Sequence, residues 1–213
     1  MPANIQSPIV RVTTGKLNTV NDAVPGAIVA SVTGGQAYQG QLGQKLVLGP
    51  DEVRYSSAIG TLYGGVYQYV RFASGATAAP ARGLIAFWDL SVAENLYQIT
   101  NDENGAGGVN VWAGIVLSAV TRGNYGWIQT EGKVYVQFRT LITAAIPAIG
   151  DPVYCAGAGA GADVATADII RSAAPASEAL VAQMQQRYLG VAEQLPVNNT
   201  ITRIQLRPLS LRV

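Results

Sequence analysis

The chain has no histidine and a single cysteine, Cys155, among its 213 residues. That removes the Ser-His-Asp and Cys-His nucleophiles and every zinc site built on His or Cys ligands. Paired carboxylates stay open, because glycoside hydrolysis needs only two acids and a cleft. Asp89 and Glu94 are the pair to weigh, with Trp88 and Tyr97 nearby in sequence; most of the 13 acids stand beside Gly, Pro or Asn in turns. Asp102-Glu103-Asn104-Gly105 has calcium-loop residue types without the ligand spacing or the distal Glu, and reads as a hairpin turn. Gly15-Lys16 lacks the earlier glycine of a phosphate-binding loop, since position 10 is Val. Gly157, Gly159 and Gly161 lie in an AGAGAGA run that opens no helix and reads as loop. Cys155 follows Tyr154 with no His or nearby Lys to lower its pKa, so a small inert core residue is expected. No catalytic residue, metal ligand or cofactor is expected.

What remains chemically is aromatic. Ten Tyr and three Trp stand against three Phe, a bias toward rings with a polar edge. Such rings serve interfaces and sugar sites, and Tyr also simply suits strands. Both uses stay open.

Charged residues are 13% and hydrophobic ones 49%, with 24 Gly and a net charge of +1. Disorder over most of the chain is excluded by that hydrophobicity. So weak a net charge gives no field to draw nucleic acid or an anionic membrane. No stretch reaches the ~20 apolar residues of a membrane helix; the longest, Val109 to Val120, is broken by Asn110, Gly114 and Ser118. The start, MPANIQSPIVRVTTGK, lacks a charged-then-apolar signal, so synthesis in a reducing cytoplasm is expected.

The elements that must position these side chains read as strands. The length suits one large all-β domain or two small ones, an antiparallel meander forming a barrel or sandwich with at most one short helix. Residues 1–25 carry Pro2, Pro8 and Pro25 and read as an extended arm; 26–108 read as a β-rich part and 109–213 as a β-meander domain. Short strands are expected at Ala27–Ala30 and Lys45–Leu48. In Gly65–Phe72, Val66, Val70 and Phe72 share one face with Gln68, while Tyr67, Tyr69 and Arg71 share the other. Further strands are expected at Leu84–Leu90 and Tyr97–Thr100. Three strands are expected between Val109 and Ile142, separated by turns at Arg122-Gly123-Asn124 and Glu131-Gly132, with Val134, Val136, Phe138 and Ile142 facing in. Ser177–Leu189 is the one helix candidate. Thr200–Arg207 alternates, with Thr202, Ile204 and Leu206 on one side and Arg203, Gln205 and Arg207 on the other.

Residues Ala113 to Val136, AGIVLSAVTRGNYGWIQTEGKVYV, resemble the core of tailed-phage capsid decoration (cement) proteins. The positions carrying the resemblance are Gly123, Gly126, Trp127, Ile128, Gln129, Gly132, Val134 and Val136, with weaker echoes at Ile149–Tyr154 and Tyr188–Ala192. The resemblance implies a β-rich virion protein, without cofactor or enzymatic activity, bound to the major capsid protein on the outside of an icosahedral head. It also implies a homotrimer that braces neighbouring capsomers. The alternative is a carbohydrate- or receptor-binding module of a tail fibre. Expected partner contacts are Ile9, Val10, Arg11, Val12 and Lys16 of the arm, where an added strand would form, together with Arg203 and Arg207.

Overall fold

The computed structural model describes residues 28–30, 36–38, 42–56, 60–75, 80–89, 97–101, 112–138, 148–155, 167–169, 188–195, 197 and 200–206. These form β1 (Ile28–Ala30), β2 (Gln36–Tyr38), β3 (Lys45–Ser56), β4 (Gly60–Phe72), β5 (Ile85–Trp88) and β6 (Gln98–Thr100). They continue as β7 (Trp112–Val116), β8 (Tyr125–Gln137), β9 (Pro152–Cys155), β10 (Ala167–Ile169), β11 (Tyr188–Ala192) and β12 (Ile201–Leu206). No described residue is helical, so the all-β reading holds. The expected arm and the AGAGAGA run lie outside the described residues. So does the helix candidate, except for Tyr188 and Leu189, which belong to β11.

β1 and β2 pair as a separate ribbon. The other ten strands make one sheet in the order β10-β9-β11-β12-β8-β7-β5-β6-β4-β3, and β4 pairs again with β8. That second pairing closes a ring, running β4, β8, β7, β5, β6 and back to β4. Strands from both sides of residue 109 thus share one sheet. The expectation of a purely antiparallel sheet needs one correction: β4 and β6 run parallel, Arg71 opposite Gln98 and Phe72 opposite Ile99.

The ring explains why its strands are apolar on both faces. Val70 and Phe72 of β4, Ala86 of β5, Ile99 of β6, Ala113 and Val116 of β7 and Ile128 of β8 form one cluster, with a contribution from every ring strand. This cluster fills the ring. Alternate residues of the same strands, Tyr67, Tyr69, Ile85, Phe87, Ile115 and Trp127, join a second cluster with Leu46 and Leu48 of β3, Val153 and Cys155 of β9, Leu189 of β11, and Ile204 and Leu206 of β12. The flanking strands therefore cover the outer face of the ring. Cys155 is buried there, where the sequence placed it.

The meander requires a second correction. The Arg122-Gly123 turn is present, with Gly123 at φ +85°, but Glu131-Gly132 is no turn. β8 runs unbroken from Tyr125 to Gln137, so two strands stand where three were expected. Gly132 (φ +93°) instead pairs with Gly65 beside a bulge, between Val66 and Tyr67 in the β4 register. A Cβ on Gly132 would overlap the Gly64 carbonyl oxygen, and one on Gly65 the Glu131 carbonyl oxygen. Positive φ serves a bulge as readily as a hairpin, and the bulge bends the strand. Before the bend β8 pairs with β7 and β4, and beyond it β8 pairs with β12, from Gly132–Leu206 to Gln137–Ile201.

Candidate partner-binding surface

Beyond the bend the outward face of β8 presents Lys133 and Tyr135, because Val134, Val136 and Phe138 take the inward positions at 3%, 0% and 0% exposure. The β8–β12 register sets Arg203 opposite Tyr135 and Gln205 opposite Lys133. β12 alternates as its sequence demands: Thr202, Ile204 and Leu206 are buried and Arg203 faces out. Tyr63 enters the same face from β4, directly opposite Val53 of β3. Arg82 comes from the turn before β5. The neighbouring Gly83 donates its N–H to the Val116 carbonyl at 2.8 Å and accepts from the Gln137 N–H at 2.9 Å, which fixes that turn against β8.

The result is a compact group of aromatic rings and cations. The Tyr63 and Tyr135 rings lie 6.0 Å apart, and their hydroxyls are 3.3 Å apart. The Arg203 guanidinium stands 5.2 Å from the centre of the Tyr63 ring and donates from Nη1 to the Tyr63 hydroxyl at 3.3 Å. Arg82 stands 5.4 Å over the Tyr135 ring. Glu193, just past β11, is shared: Oε2 meets Arg203 Nε at 2.9 Å and Oε1 meets Lys133 Nζ at 3.3 Å. The Glu193 N–H also donates to the Arg203 carbonyl at 3.1 Å, pinning the segment after β11 to β12.

The electrostatics follow from these contacts. The Tyr63 phenol is held below its usual range, chiefly by its hydrogen bond with Tyr135 and further by Arg203. The Tyr135 phenol is pushed up, chiefly by the same hydrogen bond and further by burial. Arg203 holds its proton more firmly, chiefly through its bond to Tyr63. The Tyr63 oxygen accepts from Arg203 Nη1. Beside it lies a depression lined by Thr61, Leu117, Gln129 and Val134 with Tyr63, Arg82 and Tyr135, with room for about one water molecule. Such a face can present charge-assisted donors and ring surface to a partner, the residue types that carry most interface energy.

Of the residues marked in the sequence as partner contacts, Arg203 falls in this group. Ile9, Val10, Arg11, Val12, Lys16 and Arg207 lie outside the described residues. Tyr63, Arg82, Lys133, Tyr135 and Glu193 were not marked. Lys133 and Tyr135 had a signal in the alternation of β8, but the partnership of Arg203 with Tyr63 spans 140 residues and leaves no local trace. Asp89 accepts a hydrogen bond from Gln98 Nε2 at 2.7 Å, near the edge-on Trp88 and Tyr97 rings, while Glu94 lies outside the described residues. Among the described residues no group of three or more His, Cys, Asp or Glu could hold a metal ion, and no helix is long and apolar enough to cross a membrane. Comparison with protein-family models, with curated proteins and with solved structures finds no match.

Proposed function

We propose that this chain is a virion structural protein that binds the outer surface of an icosahedral phage head as a homotrimer and stabilises contacts between capsomers. The observation that carries the reading is the segment Ala113–Val136, which resembles decoration proteins and here supplies β7 and β8. Three of the marked positions have a specific job in the fold. Gly123 makes the turn at positive φ, Trp127 is buried at 1% exposure, and Gly132 forms the bend that hands β8 from the ring to β12. A surface of Tyr63, Arg82, Tyr135 and Arg203 suits extended contact with another protein.

A carbohydrate-binding role is the second reading. Trp112 and Trp127 are buried at 4% and 1%, so of the three Trp it is Trp88, half-buried and set edge-on to the 41% exposed Tyr97, that could stack on a sugar. Co-sedimentation of the purified protein with undecorated heads of the virus that encodes it tests the first reading. Saturable binding at a fixed number of copies per head is expected. No pelleting with heads, together with binding on a glycan array that Trp88→Ala abolishes, would transfer the assignment to the second.

A further inference from the structure

The contact face is locally unbalanced although the whole chain carries only +1. Arg82, Lys133 and Arg203 stand together with Glu193, whose two oxygens are already divided between Lys133 and Arg203. Arg82 is exposed, lies on the Tyr135 ring, and has no carboxylate partner among the described residues. A guanidinium laid on an aromatic ring keeps its N–H edge directed outward, where it matches a carboxylate in two parallel hydrogen bonds. Apolar surface continues the face on β3, where Val53 and Tyr55 are 63% and 72% exposed opposite Tyr63 and Thr61. The depression holds about one water, too little to enclose a small molecule, so the ligand must lie across the face.

We propose that this face docks an acidic protein segment, with an Asp or Glu carboxylate of the partner taken by Arg82 and neighbouring aromatic or aliphatic side chains laid on Tyr63, Tyr135 and Val53. Charge complementarity selects this occupant. A second copy of the same face would bring three more cations against these, which like-charge repulsion disfavours. The inference rests on reading the face as a contact surface, and not on the partner being a capsid.

The test is calorimetric titration of the full-length protein with a short blocked peptide of glutamate, tyrosine and glycine, with its glutamine counterpart, and with inorganic phosphate. The acidic peptide is expected to bind, to weaken as salt rises, and to lose about tenfold in affinity in Arg82→Gln. Glu193→Gln, which removes the competing carboxylate, is expected to tighten binding severalfold. The opposite signs of the two variants separate docking from misfolding. Wild type that ignores the acidic peptide, equal binding of the glutamine peptide, equal affinity for phosphate, or an Arg82→Gln variant that binds as wild type would each overturn the proposal. Heads that bind wild type and Arg82→Gln alike, together with an acidic peptide that binds both alike, would overturn it while leaving head attachment standing. Heads that ignore a wild type that binds the acidic peptide would support it and remove the capsid reading instead.

Discussion

Trp127 packs edge-on against Tyr69, their ring centres 5.2 Å apart, within the cluster between the ring and its flanking strands. Truncation there leaves a large cavity in a close-packed layer. Trp127→Ala should therefore cost about 3–5 kcal/mol, read as a fall in the denaturant midpoint at unchanged slope. A change of about 0.5 kcal/mol or less would show that the indole is not core. Tyr67 gives the pH dependence. Its hydroxyl donates to the Tyr63 carbonyl, and burial pushes the phenol above its ordinary value of 10.0. Because the folded value is raised, its contribution is complete below about pH 10 and is lost as pH climbs past it. Alkaline unfolding is expected there, and Tyr67→Phe, which has no phenol to ionise, should shift the onset to higher pH. An onset unmoved by that change would place the alkaline sensitivity elsewhere.

The bend at Gly65 and Gly132 is what lets two long strands serve both the ring and the flanking sheet. Gly132→Ala combines a left-handed backbone with an overlap of Cβ on the Gly64 carbonyl, so a loss of at least about 2–3 kcal/mol is expected in urea unfolding. Gly75, with open space around it, is the control: Gly75→Ala should change stability little. This bend also shows where reading the sequence stops. The alternation of Thr202, Ile204 and Leu206, and of Val134 and Val136, was legible because period two is a local consequence of the pleat. Glu131-Gly132 reads as a hairpin in the sequence because a glycine suited to positive φ looks the same in a turn and in a bulge. The second pairing of β4 with β8 and the parallel β4–β6 pair were invisible, because each joins segments with no shared local pattern. The candidate face was half legible for the same reason. Arg203 could be placed on an outward side, but its neighbours Tyr63 and Glu193 are set by sheet order.

At the scale of the whole molecule, a closed ring clad by a curved sheet presents a broad outer face bearing Tyr and Arg. Such a face suits contact with neighbours on a lattice. The proposed homotrimer predicts a sedimentation coefficient and mass of three chains at tens of micromolar, with or without chelator; a strict monomer would contradict it. The most direct test of the proposed function is a cryo-electron microscopy reconstruction of virions of the virus that encodes the chain. The account predicts density for this fold on the outside of the head, in three-fold groups bridging capsomers, with Tyr63, Arg82 and Tyr135 turned toward the capsid protein. Density for this fold on the tail, or heads bearing none of it, would contradict the proposal.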